Sequence, residues 1–177
     1  MFRKFIRTYL LHVCFLLSLT HSAQDQLQKL SEKARNFVNE QEYDSALIYS
    51  AQLEREAVKT NSDKYLVKSY FLTATAYTYL NNLHEANDWY YKALKLCIDG
   101  KDIEQLASIY SGIGSLNFSQ GNYGVAKSNY KEEIRLRIIQ KDTIRLANNL
   151  MNLSAIYRRL KEFDSSQLVL DLSLIHI

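Results

Sequence analysis

Apolar and small residues recur along this chain at the spacing that places side chains on one face of an α-helix. One such set falls at i, i+3, i+4 and i+7 and consists of Tyr70, Thr73, Ala74 and Tyr77. Short polar stretches separate these segments, and Asp102 begins a stretch that resembles a helix capping box. The pattern predicts eight helices, near residues 25–39, 42–60, 63–80, 83–99, 103–119, 122–140, 143–160 and 162–171.

The same pattern returns every 40 residues, as in the column of Tyr43, Leu83, Tyr123 and Phe163. Two columns hold small residues: Ala34, Ala74, Gly114 and Ser154 in one, and Ala46, Ala86, Ala126 and Ser166 in the other. Such self-similarity is typical of a repeat array, and small residues let two helices cross closely. We therefore predict a repeat domain over residues 24–171, with helical hairpins near residues 24–62, 63–101, 102–141 and 142–171.

The second copy alternates small and aromatic residues in an order that is known from one repeat family. Its members are Ala74, Tyr77, Ala86, Tyr90 and Ala93, and their order resembles the tetratricopeptide repeat (TPR). The period of 40 residues exceeds that family's usual period of about 34 residues, and the family's proline is missing because the chain contains none. The resemblance implies an all-α fold, an α-α superhelical solenoid of about four hairpins. It is closest in type to the long repeats in exported regions of bacterial sensor and regulatory proteins.

The first 23 residues differ in character from the repeats. Arg3, Lys4 and Arg7 precede an apolar stretch, Tyr9–Leu19, and small residues then lead to Ala23. This order is typical of a secretory signal peptide, which we predict to be cleaved after Ala23. An uncleaved N-terminal membrane anchor is the alternative. Either interpretation predicts an exported protein on the periplasmic or extracellular side of a membrane, or one that is membrane-anchored at full length.

The last six residues, 172–177, read "LSLIHI" and break the repeat pattern before them. They resemble the translated end of a sequencing adapter, so we interpret them as a non-native tail on a fragment of a longer gene and exclude them from the predicted fold. On this interpretation the natural protein continues beyond Asp171.

The charge of the chain does not favour nucleic acid as a partner. The formal net charge is +3 at pH 7, and all of that excess lies in the three basic residues of the first 23 residues, which contain no acidic residue. The remaining chain is therefore neutral overall, whereas nucleic-acid-binding domains are usually basic.

The sequence offers no catalytic, cofactor or metal site that we can recognise. His84 and Cys97 lie 13 residues apart on one predicted helix, which separates them by about 20 Å, too far for a nucleophile–base pair. We expect His84 to face solvent and Cys97 to be buried and inert. Glu132 and Glu133 are adjacent acids that we expect on an exposed helix face. The chain is therefore predicted not to be an enzyme and to need no cofactor.

The resemblance to the tetratricopeptide repeat implies a concave groove, lined by the first helix of each hairpin, that receives a peptide or a partner's helix. By analogy, the predicted groove residues are Lys68, Phe71, Thr75, Ser108, Ser111, Ser115, Asn148, Met151 and Asn152. We predict a non-catalytic protein-interaction scaffold. The alternative is the extracytoplasmic sensor portion of a truncated signalling protein, such as a histidine kinase or a transcriptional regulator.

Overall fold

The computed structural model describes residues 22–100 and 102–175, and in these residues it contains eight α-helices and no strand. In chain order they are α1 (residues 22–39), α2 (Tyr43–Lys59), α3 (Asp63–Tyr79), α4 (Leu83–Gly100), α5 (Ile103–Ser119), α6 (Tyr123–Gln140), α7 (Thr143–Arg159) and α8 (Phe163–Ile175). The predicted all-α fold is confirmed. The leader interpretation falls mainly on residues 1–21, which lie outside the described residues.

The helices are stacked in chain order. From α2 onward each helix packs against the next, and α3 also packs against α5. Apolar side chains of α1, α2 and α3 form one core cluster, which includes Leu27, Leu53 and Leu72, and a second cluster joins α3, α4 and α5. Since each hairpin buries its apolar face against its neighbours, the chain forms a helical-repeat solenoid.

The repeat length is set by the helices and the links between them. Helices α2, α3, α5 and α7 each contain 17 residues, whereas α4 and α6 contain 18. Two helices of this length and two links of two or three residues fill the 40-residue period. The excess over the usual tetratricopeptide period therefore lies in the helices and not in long loops.

Each of the described helix links contains one residue in the left-handed backbone conformation. These residues are Gln41, Asn61, Asn81, Gly121, Lys141 and Lys161, with φ between 49° and 78°. In the link after α3, the amide of Asn82 donates to the carbonyl of Tyr77 at 2.9 Å and the amide of Asn81 donates to Thr78 at 3.1 Å. These bonds satisfy the last carbonyls of the helix, so the chain reverses within three residues.

The small-residue columns lie where the sequence predicts them. Every alanine of the two columns is completely buried, and Ser154 and Ser166 are 2% and 4% exposed. In the last hairpin the Oγ atoms of these two serines are 2.9 Å apart and share a hydrogen bond. The two columns therefore meet at the crossing of the paired helices, and the fourth hairpin uses two hydroxyl groups where the first two use two alanines.

Helix α8 ends four residues later than the sequence analysis predicts. The predicted helix stops at residue 171, whereas α8 extends to Ile175. Ser173 is 2% exposed and its hydroxyl donates to the carbonyl of Ala147 at 3.1 Å. This contact holds the last turn of α8 against α7, so residues outside the predicted fold are part of the helix.

None of the helices in the described part of the chain is long and apolar enough to cross a membrane.

Candidate functional site

Helices α3, α5 and α7 line a groove with a cavity of about 420 Å³. The cavity walls include six of the nine predicted groove residues: Phe71, Thr75, Ser108, Ser111, Ser115 and Asn148. Side chains from α4 and α6 reach between these helices to the floor of the cavity. The first helices of three hairpins therefore supply the walls, and the second helices of two hairpins supply the floor.

The groove continues toward α1 through a second cavity of about 370 Å³. Lys68 lines this cavity, and Phe71 and Ser108 border both cavities. The Lys68 ammonium lies 5.0 Å from the centre of the Tyr65 ring. Burial lowers the pKa of Lys68, and the nearby Lys64 ammonium lowers it further. Seven of the nine predicted residues thus lie along one continuous groove.

Met151 and Asn152 do not line either of these cavities. Both are exposed on α7, and Met151 is 52% exposed. The cavity side of α7 is formed by Arg145, Asn148 and Asn149. Their repeat equivalents on α5, Ser111 and Gly112, do line the cavity, so the predicted pair of Asn148 and Asn152 is only half present there.

One part of the floor is the ring of Tyr90, which reaches from α4 to the groove between α3 and α5. Its ring meets Phe71 edge-on, with 5.9 Å between ring centres, and its hydroxyl lies 3.4 Å from Thr75 Oγ1. Gly112 on α5 leaves space for the ring, because a Cβ atom there would lie 2.6 Å from Tyr90 Cζ. Burial raises the pKa of the Tyr90 hydroxyl, so the tyrosine is a neutral hydrogen-bonding group.

The rest of the floor carries two buried charges from α6, Glu133 and Arg137. They are 2% and 3% exposed, and Glu133 Oε1 lies 3.7 Å from Arg137 Nε, which is longer than a hydrogen bond. The expectation of an exposed pair of acids is wrong for Glu133. Glu132 is half-exposed and pairs with Arg135 at 2.9 Å, but the next residue is rotated by about 100° around the helix and faces inward.

Burial raises the pKa of the Glu133 carboxyl above its ordinary value, although Ser111, Asn149 and Arg137 beside it favour the charged form. Among the residues that the structure describes, neither Glu133 Oε2 nor Arg137 Nε has a hydrogen-bond partner. Buried polar atoms in folded proteins are nearly always hydrogen-bonded. Asn149 Nδ2 is a third such atom, and all three are buried, so they lie beneath the surface of the cavity and not on it.

The mouth of the cavity holds a network of ion pairs. Glu104 accepts from Arg137 Nη1 at 2.7 Å and from Arg145 Nη1 at 2.6 Å. Asp142 lies 3.2 Å from Arg145 and 3.7 Å from Arg137, and Gln140 accepts from Arg137 at 3.0 Å. Glu104 and Asp142 thus neutralise both guanidinium groups without help from Glu133.

A signal for Glu133 exists in the repeat register, which the sequence analysis did not apply to charged residues. The column that contains Glu133 at steps of 40 residues also contains Leu53, Ala93 and Ser173, all of them at most 2% exposed. A charged residue in a column of core residues indicates a buried charge. The column that contains Arg137 also contains Ala57 and Cys97, which are both buried, so it likewise indicates a buried charge.

Two reactive residue types lie away from the groove. Cys97 is 2% exposed, and burial raises the pKa of its thiol to about 11, so it is a thiol at neutral pH. The His84 side chain is 88% exposed and lies 3.9 Å from Asp88. Within residues 22–100 and 102–175, no three His, Cys, Asp or Glu side chains are placed to hold a metal ion.

No protein-family model matches this sequence, and no curated protein sequence matches it. Two solved structures are similar in fold. BtubC (BKLC) from P. vanneervenii is 18% identical, with a TM-score of 0.75 over 85% of this chain and 62% of BtubC. A Rap protein, solved in complex with Competence and Sporulation Factor, is 16% identical, with a TM-score of 0.78 over 85% of this chain and 43% of Rap.

This chain therefore spans less than two thirds of BtubC and less than half of the Rap protein. At these identities the likeness concerns the fold alone, and it places the chain among helical-repeat proteins.

Proposed function

We propose that this chain is a non-catalytic protein-interaction module whose groove, lined by α3, α5 and α7, holds a peptide or a helix of a partner protein. The observation that carries the proposal is the cavity of about 420 Å³, into which the first helices of three hairpins direct hydroxyl, amide and aromatic groups. Such a cavity is of ligand-binding size. Ser108, Ser111 and Ser115 place hydrogen-bonding groups along one side of it.

The module fits the long-repeat tetratricopeptide type that its small and aromatic columns resemble. The similarity in fold to a Rap protein that was solved with Competence and Sporulation Factor supports a scaffold that binds a partner. We place the module outside the cytoplasm because of the leader pattern in residues 1–23. Its partners are proteins or peptides and not nucleic acid, because the repeats are neutral overall.

A direct test is capture of a synthetic pool of randomised, N-acetylated and C-amidated octapeptides by the immobilised protein. A Ser115→Trp variant places an indole at the cavity, and Ser128→Trp is the matched control because Ser128 is exposed on α6 and lies outside both cavities. We expect the wild type and Ser128→Trp to retain peptides and Ser115→Trp to lose them. Equal retention by all three proteins would show that the groove is not the binding surface.

The sensor portion of a longer signalling protein is a second candidate function, since a leader pattern precedes repeats that resemble the exported regions of bacterial sensor proteins. The two candidates share the groove and differ in the part of the gene downstream of Asp171. Sequencing the native locus distinguishes them, because a membrane span and an output domain downstream would favour the sensor. A stop codon directly after residue 177 would favour the scaffold.

A further inference from the structure

Three cationic side chains line the groove where it approaches α1. Arg35 comes from α1, whereas Lys64 and Lys68 come from α3, and all three border the cavity of about 370 Å³. Lys64 and Lys68 are four residues apart, which places them on the same face of the helix. The α1 end of the groove is therefore bordered by positive charge from two helices.

The repeat register shows that two of these charges are particular to this end of the groove. At a step of 40 residues, Arg35 is equivalent to Thr75. In the same way, Lys68 is equivalent to Ser108 and Asn148. These three uncharged residues line the cavity of about 420 Å³. Arg35 and Lys68 thus place charges at groove positions where later hairpins have neutral hydrogen-bonding groups.

The two carboxylates that line this cavity are already bound to other groups. Glu104 accepts from Arg137 at 2.7 Å and from Arg145 at 2.6 Å. Asp102 accepts from the amide of Gln105 at 3.1 Å and from its side chain at 2.6 Å. By contrast, none of the three cations has a carboxylate within 4.0 Å in the parts of the chain that the structure describes.

The three cations also repel one another. Burial lowers the pKa of Lys68, and the charges of Lys64 and Arg35 lower it further. Asp102 and Glu32 act in the opposite direction but do not reverse the shift. A negatively charged group in the cavity would relieve this repulsion and would accept charge-assisted hydrogen bonds.

We infer that this cavity is a specificity pocket for a carboxylate side chain, aspartate or glutamate, carried by the peptide that occupies the groove. The inference rests on the proposed function of the groove. Arg35 donates to the carboxylate from one side, and Lys64 and Lys68 donate from the other. The ring of Phe71 borders both cavities and packs against the methylene groups of the bound side chain. Because the groove continues past this cavity, the pocket takes an internal side chain and not the C-terminal carboxylate of the peptide.

The experiment uses five pools of N-acetylated octapeptides that are randomised except for one central residue. Four pools are C-amidated and have Asp, Glu, Gln or Lys at the centre, and the fifth has Gln there and a free C-terminal carboxylate. We expect wild-type protein to retain the Asp and Glu pools about tenfold better than either Gln pool, as one charge-assisted hydrogen bond predicts. It should retain the Lys pool least, and the preference should weaken as salt is added.

Variants locate the preference in the cavity. Arg35→Gln with Lys64→Gln and Lys68→Gln should remove it. The matched control removes three positive charges from exposed positions of α2, α4 and α6 that lie outside both cavities, as Arg55→Gln, Lys95→Gln and Lys131→Gln. This control should keep the preference, and circular dichroism checks that both triple variants are folded.

The outcomes separate this inference from the proposed function. If all pools bind wild-type protein equally well and Ser115→Trp blocks them, the groove binds peptides but the carboxylate pocket is refuted. A preference that survives in the folded variant at 35, 64 and 68, or one shown only by the pool with a free C-terminus, also overturns the inference. If no pool binds wild-type protein, the proposed function itself fails. Should that triple variant not fold, Lys68→Gln alone replaces it, and an unchanged preference in this protein would refute the pocket.

Discussion

The ring of Tyr90 occupies the space that a side chain at Gly112 would fill. A Cβ atom at Gly112 would lie 2.6 Å from Tyr90 Cζ and 2.8 Å from its hydroxyl oxygen. We therefore expect Gly112→Ala to displace the ring and to lower the free energy of unfolding by about 1–3 kcal/mol, although alanine favours a helix over glycine. Urea unfolding followed by circular dichroism measures this change.

Gly124→Ala is the control for this prediction. Gly124 also lies in a helix, α6, but a Cβ atom there would have no neighbour within 4 Å. We expect this variant to be more stable than wild type by up to about 1 kcal/mol, because only the helix propensity changes. Similar stabilisation in both variants would mean that the Tyr90 ring adjusts without cost.

The hydrogen bond between Ser154 and Ser166 predicts that alanine substitutions at these two positions lower the stability by different amounts. Ser166 Oγ lies 2.9 Å from Ser154 Oγ and also donates to the Ser154 carbonyl at 3.2 Å. Ser154→Ala leaves that carbonyl in place and should cost less than about 1 kcal/mol. Ser166→Ala strands the buried Ser154 hydroxyl and should cost about 1–3 kcal/mol.

The double variant completes this cycle. Since other hairpins place two alanines at the equivalent crossing, such as Ala34 and Ala46, we expect Ser154→Ala with Ser166→Ala to be more stable than Ser166→Ala alone. Thermal and urea unfolding of all four proteins measures the coupling. If the loss of stability in the double variant equals the sum of the two single losses, the assigned hydrogen bond is contradicted.

Most of the helix bounds can be predicted from the sequence, because their determinants are local. Helices α3, α5 and α7 begin at the predicted residues. Asp102 and Asp142 cap α5 and α7 by accepting from the amides three residues later, whereas Ser62 before α3 makes no such side-chain bond. The predicted helix bounds are less accurate at the ends of the array. Helix α8 runs past residue 171 because Ser173 bonds to the Ala147 carbonyl, 26 residues away in sequence, and helix periodicity does not report such a contact.

The groove walls are predictable and its floor is not. Lys68, Ser108 and Asn148 occupy equivalent positions on successive first helices, and all three line the groove. The register is not sufficient everywhere, because Met151 is equivalent to Phe71 and Ser111 and lies outside both cavities. The floor depends on how far the side chains of α4 and α6 reach between those helices. That reach is set by neighbours such as Gly112, which leaves room for Tyr90, and this is a property of the packing rather than of one segment.

The buried pair of Glu133 and Arg137 predicts a non-additive effect on stability. Arg137→Ala should lower the free energy of unfolding by roughly 3–5 kcal/mol, because it leaves Glu133 buried beside no opposite charge. Replacing both by the residues of the first hairpin, as Glu133→Leu with Arg137→Ala, should return the stability to within about 1 kcal/mol of wild type or above it. Urea unfolding of the single and double variants measures the difference.

The control is the ion pair of Glu132 and Arg135 on the same helix, which is 2.9 Å long and solvent-exposed. Glu132→Leu with Arg135→Ala, and Arg135→Ala alone, should each change stability by no more than about 1 kcal/mol. A double variant at 133 and 137 that is as unstable as Arg137→Ala would show that these two charges contribute to packing rather than oppose it.

The carboxylate of Asp102 predicts that the free energy of unfolding depends on pH. This effect can be separated from the role of Asp102 as a helix cap. Burial acts to raise the pKa of its carboxyl, yet hydrogen bonds from the Gln105 side chain and amide, with the Lys64 charge nearby, lower it below its ordinary value. Because the folded pKa is depressed, the carboxylate adds stability above its unfolded pKa of about 3.9, and this is lost as pH falls through the folded pKa.

We therefore expect Asp102→Ala to be less stable than wild type by about 1 kcal/mol at pH 7, with a difference that shrinks between about pH 5 and pH 2. Asp102→Asn keeps an acceptor for the Gln105 amide without the charge, so it should retain most of the cap and none of this pH dependence. A gap between wild type and Asp102→Ala that stays constant with pH would refute the role assigned to the charge.

The account depends most on the claim that ligands bind in the groove of α3, α5 and α7. The direct measurement is a titration of ¹⁵N-labelled protein with the best-retained octapeptide pool, monitored through amide chemical shifts. We expect the shifts to concentrate around Phe71, Ser111 and Asn148, which line the cavity, and to leave exposed positions of α6 such as Ser128 unchanged. Shifts centred on α6 or α8, with the groove residues unmoved, would contradict the account.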